Sequence, residues 1–276
     1  MTTQPIRVLH ALDSMAGGGA QQVVLDLVAW SASAGIATAI VAADGPRRGD
    51  IPEGVEFLPA ADGSFLAYTR TLFSACRRFR PTVLHAHQRR EALASLLVGR
   101  ALGIPVVEHA HTVLPDTRLK GLSFRTRRIF SVGPAVTRML TCTFRVSADR
   151  IDTIGNLVPG AALAPAADRK PAPGAVIGIG RLEEQKDPLR FSDIVRSGVG
   201  RFEGVWYGDG PLRPDVLAHA ARTGSPVRFA GRSTSIIAEM DRAAALLLTS
   251  RWEGTPSSSS RRSLAACSSS PSTRPG

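Results

Sequence analysis

Two cations five residues apart, Arg181 and Lys186, stand in the stretch Gly180-Arg181-Leu182-Glu183-Glu184-Gln185-Lys186-Asp187-Pro188. The apolar run from Ala175 to Ile179 precedes it. Asp187-Pro188 reads as a helix start, because Pro at the first helical position gives up no hydrogen bond. Fixed positive charge between a strand end and a helix start suits an anionic ligand; the plainer alternative is a pair of surface cations. Tyr207-Gly208-Asp209-Gly210-Pro211 reads as the turn at the next strand end, where glycines keep the floor of a site low or simply make the turn. Gly17, Gly18 and Gly19 lie between a strand and a helix. Glycine there lets backbone N–H groups approach a ligand, and a helix N-terminus favours an anion. The dinucleotide fingerprint G-x-G-x-x-G is not met, since Gln22 stands where its last glycine would be.

Histidines form two pairs, His85-x-His87 and His109-x-His111. In an extended segment both rings of such a pair fall on one side of the chain, and Glu108 falls on the other. Zinc usually takes a carboxylate or thiolate as well, so no metal is assigned. Cys76, Cys142 and Cys267 have neither ligand spacing nor the pattern of a disulfide framework. His85, His87 and His109 then read as strand-end residues that line a site or are hydrogen-bonded in the core.

The elements that must hold these residues alternate between short apolar runs and amphipathic stretches, the pattern of parallel sheets wrapped by helices. Strands are expected over Arg7–Leu12, Ala37–Ala42, Val55–Pro59, Thr82–His85, Val106–Glu108, Phe130–Val132 and Ile151–Ile154. Helices are expected after Gly19, over Leu66–Phe79 and Glu91–Leu102, and from Gly133-Pro134. An Ala- and Pro-rich linker over Pro159–Pro173 follows, and a second alternation starts at Ala175. It continues through Gly204–Tyr207, Val227–Phe229 and Ala244–Thr249. The domains expected are 1–165, a partial second domain 166–256, and a tail 257–276.

The 276 residues fit two domains, and 43% hydrophobic content is enough for real cores. The net charge of +11 is mostly Arg. Arg118, Lys120, Arg125, Arg127 and Arg128 concentrate part of it, either as a contact for anionic headgroups or an anionic lipid-linked molecule, or as a solvated basic helix face. No run of about 18 apolar residues spans a bilayer, and Ile6 to His10 enters a strand without a leader. A cytoplasmic location is expected, with peripheral contact at the inner face of the plasma membrane and no nucleic-acid partner.

Taken with Trp252-Glu253-Gly254-Thr255-Pro256, these motifs resemble the family 4-like retaining glycosyltransferases. The resemblance covers roughly residues 5 to 256. It implies a GT-B fold, two Rossmann-like parallel-sheet domains facing a cleft with the second incomplete. It implies transfer of a hexose from a nucleotide-sugar donor to a saccharide or lipid-linked acceptor. A transferase that cleaves a nucleoside diphosphate from a sugar must stabilise charge on the leaving diphosphate, by a metal or by Arg and Lys. Arg181 and Lys186 resemble the family's diphosphate pair, so no metal cofactor is implied.

Gly18-Gly19-Ala20 matches the family's opening loop. His111, six residues after Pro105, matches the His that faces the donor sugar. Gly208 and Gly210 match the Gly-x-Gly-Pro turn, and Arg232 the segment flanking the base. Glu253 would accept hydrogen bonds from sugar hydroxyls, with Gly254 and Thr255 holding sugar and phosphate. A nucleotide-sugar epimerase of similar architecture is the weaker match, because the Arg181–Lys186 spacing followed by Trp-Glu-Gly is more transferase-like.

Beyond Ser257 the pattern stops. The family's second Glu, which binds the ribose, is due at position 261, with seven residues between it and Glu253, and position 261 is Arg. The tail is rich in Ser and Arg without apolar periodicity and is expected to be disordered. Reading one base out of phase, Ser258–Cys267 becomes Val-Leu-Leu-Glu-Ala-Leu-Ala-Gly-Arg-Val with allowed codons, and the Glu lands on position 261. A one-base frameshift near codon 257 is inferred, with an inactive truncated product as the alternative to an active enzyme.

Overall fold

The computed structural model describes residues 5–60, 63–114, 117, 120–156, 175–198, 200–233 and 235–252. The chain divides into two compact units, Met1–Leu157 and Val158–Gly276. The expected linker Pro159–Pro173, and the tail from Ser257, lie outside the described residues.

In the first unit, seven strands form one parallel sheet. They are β1 (Arg7–Ser14), β2 (Ala37–Ala43), β3 (Glu56–Pro59), β4 (Val83–Ala86), β5 (Val106–Ala110), β6 (Arg128–Ser131) and β7 (Ile151–Thr153), in the order β3-β2-β1-β4-β5-β6-β7. Each apolar run contributes to both faces because side chains alternate along a strand. Leu9, Ala11, Val41, Leu84 and Ala86 pack against helices α2 (Phe65–Phe79) and α3 (Arg89–Leu102) through Leu72, Phe79, Ala94 and Val98. Leu12, Ile40 and Ala42 pack against α1 (Gly19–Ser33) through Val24, Leu25 and Val28. Ser64 caps α2 by accepting the Ala67 amide at 3.3 Å, and Gly103 ends α3 in the left-handed conformation. A short α4 (Pro134–Arg138) opens with Pro.

The basic stretch differs from the helix face considered above. Lys120–Leu122 is a single 3-10 turn, Phe124 has φ 57°, and Arg128 already belongs to β6. A residue with positive φ breaks helical continuation, so Lys120, Arg125, Arg127 and Arg128 are exposed along an irregular segment instead. Arg118 is outside the described residues.

The second unit has a parallel sheet of four strands among its described residues: β8 (Ala175–Ile179), β9 (Glu203–Tyr207), β10 (Arg228–Gly231) and β11 (Ala245–Leu246), in the order β10-β9-β8-β11. Helices α5 (Pro188–Ser197) and α6 (Arg213–Thr223) cover one face, where Leu182, Phe191, Val195, Trp206, Val216 and Phe229 form a core. Side chains of this size each stabilise by roughly 1.5–3 kcal/mol when fully buried. Helix α7 (Ile236–Arg242) packs Met240 against Ile177 and Leu246 on the other face. The strand expected over Ala244–Thr249 is only two residues long, because after a last bond from the Leu247 amide to the Ile177 carbonyl the chain leaves β8 to reach the turn that follows it.

Candidate functional site

All four strands of the second sheet are parallel, so their carboxyl ends share one edge. Ligands of open parallel sheets bind outside that edge. The loop after β8 carries Arg181 and Lys186, the turn after β9 carries Gly208 and Gly210, and Arg232 follows β10. These sequence-predicted residues are brought together on one rim.

The rim is tied by backbone bonds. Gly180 donates to the Tyr207 carbonyl at 3.0 Å, Leu182 to Asp209 at 3.1 Å, and Gly208 to Gly231 at 2.7 Å. Trp206 Nε1 donates to the Gly180 carbonyl at 2.9 Å. The close approach requires glycine. A Cβ on Gly208, whose φ is +131°, would lie 2.0 Å from the Gly180 carbonyl oxygen, and one on Gly210 would lie 2.5 Å from that of Leu182.

Arg181 is 57% exposed, with its guanidinium 3.7 Å from the Glu183 carboxylate. The methylene stem of Lys186 lies over Gly180, where an added Cβ would sit 2.9 Å from Cγ. Asp187 has φ 48° and caps α5, accepting from the Arg190 amide at 3.3 Å. The expected helix start at Asp187-Pro188 is therefore the observed one.

A strap unnoticed in the sequence holds this loop. Thr249 Oγ1 donates to the carbonyls of Lys186 at 2.9 Å and Asp187 at 3.1 Å. The Arg251 amide donates to the Gln185 carbonyl at 2.8 Å, and Gln185 Nε2 returns a bond to the Trp252 carbonyl at 3.0 Å. The Arg251 guanidinium pairs with Asp187 at 3.0 Å and Glu184 at 2.7 Å. The chain leading to Glu253 is thus fastened to the turn that carries Lys186. Glu253, Gly254 and Thr255 themselves lie outside the described residues. Nothing local signals the strap, because Arg251 stands 64 residues from Asp187.

In the first unit the topological switch lies between β1 and β4, and the remaining candidates gather at its carboxyl end. Helix α1 starts at Gly19 with Gly18 at its N-cap, with no side-chain cap and no acidic residue in the first turn. A Cβ on Gly19 would meet nothing within 4 Å. Beside this start, Asp13 Oδ1 accepts from Gln21 Nε2 at 3.2 Å and Gln88 Nε2 at 3.0 Å, joining the ends of β1 and β4.

Next to it five imidazoles stack. His10 and His85 are register partners on β1 and β4. Ring centroids lie 4.2 Å apart in both His85–His87 and His109–His111. Each pair thus sits on one side as its alternation predicts, while Glu108 faces the other way, near Thr126. His10 Nδ1 lies 3.0 Å from His87 Nε2, and His87 Nδ1 lies 3.0 Å from His111 Nε2. His87 is therefore hydrogen-bonded in the core. Neither buried ring nitrogen of His109 has a hydrogen-bond partner among the described residues, which leaves it the site-lining alternative.

Burial lowers the pKa of every ring in the cluster: His10 to about 3 and His109 to about 4, with His85, His87 and His111 well below their usual value. All five are neutral near pH 7. With Nε2 engaged by His87, the neutral His111 ring has its Nδ1 left for a sugar hydroxyl. His10 was missed as a member; its signal was the end of the run Ile6-Arg7-Val8-Leu9-His10.

Residues 17–159, more than half of the chain, match the model of Glycosyltransferase Family 4. None of the curated proteins matches the sequence. Among solved structures, Anabaena HepE in complex with UDP and glucose superposes with a TM-score of 0.77 at 16% identity, covering 94% of this chain and 78% of HepE. A glycosyltransferase from Rickettsia africae gives a TM-score of 0.71 at 14% identity, covering 90% of this chain and 74% of its own. WaaG, a glycosyltransferase involved in lipopolysaccharide biosynthesis, gives 0.73 at 14% identity, with 94% and 79% covered. At these identities the structures establish the GT-B architecture of two Rossmann-like units. With the family model matching from the glycine loop onward, the chain belongs to Glycosyltransferase Family 4.

Proposed function

We propose that this chain is a retaining hexosyltransferase that takes its sugar from a nucleoside diphosphate donor and passes it to a saccharide or lipid-linked acceptor. The observation that carries the reading is the convergence of Arg181, Lys186, Gly208, Gly210 and Arg232 on the carboxyl rim of the second sheet. HepE, similar in fold, was solved with UDP-glucose, so a uridine diphosphate hexose is the donor to test first.

In this reading the diphosphate lies against the low floor made by Gly208 and Gly210. Arg181 and Lys186 then neutralise the charge that develops on it as the glycosidic bond breaks. Fixed cations already in place need no reorganisation during reaction and act without a metal. Arg232 flanks the base, and Glu253, Gly254 and Thr255 hold the sugar. His111 supplies a hydrogen bond to a hydroxyl of the transferred sugar, and the amides of Gly18 and Gly19 approach the donor phosphate and the acceptor. The exposed Lys120, Arg125, Arg127 and Arg128, with Leu122 52% exposed beside them, provide peripheral contact with an anionic membrane.

Arg261 favours a second reading, a chain that binds donor but turns over poorly, because a cation stands where the family's ribose-binding Glu is due. One experiment separates the two. The chain is incubated with UDP-hexoses in EDTA, UDP release is measured, and proton NMR reads the anomeric configuration of the product. UDP release in EDTA with a retained anomeric centre supports the transferase. UDP binding by calorimetry without release supports the second reading, and neither binding nor release overturns both.

A further inference from the structure

We propose that His10, His85 and His87 form a binding site for one late first-row divalent metal ion. One ligand atom from each of the three rings lies within 4.8 Å of the other two. Tetrahedral zinc held by imidazoles at about 2.0–2.1 Å needs nitrogen atoms roughly 3.3 Å apart. His10 Nδ1 and His87 Nε2 already stand 3.0 Å apart, so a few tenths of an ångström of opening admits an ion between them.

The scaffold is rigid. His10 and His85 are paired residues on adjacent strands, and His87 is two residues beyond His85, so all three rings leave the same face of the sheet. Their chemistry is that of a ligand set. His85 Nε2 is buried with no hydrogen-bond partner among the described residues, and buried polar groups are normally satisfied. An ion between the rings would bind His10 through Nδ1 and His87 through Nε2, and would give the His85 ring a partner. The set contains imidazoles only, which suit zinc, cobalt, nickel and copper, whereas magnesium and calcium want oxygen. The remaining coordination position is left to water or an anion.

His87 also has the second hydrogen bond that orients metal-bound histidines. With Nε2 on the ion, its Nδ1 carries the proton and donates to His111 Nε2, now 3.0 Å away. The effect on His111 rests on the sugar-binding role proposed above; ion binding itself does not. The ion would organise the first unit and has no part in neutralising the diphosphate. A competing trio, His87, His109 and His111, shares His87. It would engage the ring that faces the sugar, and the first trio leaves that ring in its hydrogen bond.

The full chain, expressed without a histidine tag and stripped with EDTA, is titrated with cobalt(II). The expected result is the visible ligand-field spectrum of a four- or five-coordinate ion at one per chain, displaced by zinc. Zinc should also raise the Tm. His85→Gln should weaken binding at least about tenfold. His109→Gln, and His219→Gln in the second unit, should leave it unchanged. X-ray absorption on the zinc-loaded wild type, which does not depend on any variant folding, should count three imidazoles at about 2.0 Å. Absence of both the cobalt spectrum and the zinc-induced Tm rise in the wild type overturns the proposal. So do unaltered binding in a folded His85→Gln, loss of binding in His109→Gln, and fewer than three imidazoles by X-ray absorption.

Discussion

Both sheets present their candidate chemistry at the carboxyl ends of parallel strands, but in opposite media. In the first unit five neutral imidazoles are packed against one another, and burial, helped by the neighbouring rings, sets their charge state. In the second, Arg181 is 57% exposed, on a loop fixed by a mesh of backbone hydrogen bonds. Arg keeps its charge in any surroundings, whereas an imidazole or carboxyl loses its charge when water is removed. Substitution in the second unit should therefore be felt as lost charge on a ligand or as a broken loop. In the first unit it should be felt as stability that depends on pH.

The largest effect expected is on turnover. Arg181→Ala and Lys186→Ala should each slow donor cleavage by about a hundredfold or more, the scale of removing one preorganised charge, roughly 3–4 kcal/mol. Tm should move little for Arg181→Ala, because an exposed ion pair with Glu183 contributes under about 1 kcal/mol. Steady-state UDP release and a thermal melt measure the two. Full activity in Arg181→Ala would remove the reason for treating the second rim as the seat of charge.

Next in size is the loop itself. Gly208→Ala forces a Cβ against the Gly180 carbonyl oxygen at a φ of +131°. Strain plus a backbone shift should cost roughly 2–3 kcal/mol. Urea unfolding should show a lowered midpoint, and UDP affinity should fall with it. A variant as stable as its parent would mean that the rim is more pliable than its hydrogen bonds suggest.

The order of elements was legible because each apolar run is short, bounded by turn residues and followed by an amphipathic stretch. Ala37 to Ala42, for instance, is too short for a helix and carries Thr38, Ile40 and Val41, which favour a buried strand. Arg181 and Lys186 were legible because Asp187-Pro188 fixes where the helix begins, and so where the loop before it lies. The strap from Thr249 to Trp252 was not, since hydrogen bonds between residues more than 60 apart leave no local pattern. The imidazole cluster was half legible. Two His-x-His pairs announce themselves, but His10 stands 77 residues from His87 and joins only because β1 lies beside β4. The short length of β11 was hidden for a similar reason. Its apolar composition favours a longer strand, and tertiary bonds to the β8 turn pull the chain away.

A third prediction tests whether burial governs the first unit. Burial pushes the Glu108 carboxyl from 4.5 up to about 8, with the Thr126 hydroxyl and the charges of Arg89 and Arg150 opposing. Folded protein therefore keeps a proton that the unfolded chain releases above about pH 4.5. The stabilising contribution is complete below that value and is lost as pH rises through 8. Glu108→Gln cannot ionise. It should match its parent near pH 5 and exceed it by roughly 3 kcal/mol near pH 8. Denaturant midpoints across that range decide it, and parallel curves for the two proteins would show that Glu108 is solvated after all.

The smallest effect expected concerns Arg251, where the two explanations for the strap separate. Its guanidinium pairs with Asp187 and Glu184, but it is 49% exposed and Glu184 is 69% exposed, so water screens much of the attraction. Exposed pairs of this kind contribute about 0–1 kcal/mol. The bond from the Arg251 amide to the Gln185 carbonyl, and that from Gln185 Nε2 to the Trp252 carbonyl, do not depend on which side chain stands at 251. Arg251→Ala should therefore lower stability by less than about 1 kcal/mol and leave UDP affinity nearly unchanged. Thr249→Val, which removes the hydroxyl bonded to the carbonyls of Lys186 and Asp187, should cost more, about 1–2 kcal/mol, because Thr249 is buried and both carbonyls lose a donor. If Arg251→Ala proves the more damaging of the two, the second unit is held at its rim by charge rather than by hydrogen bonds.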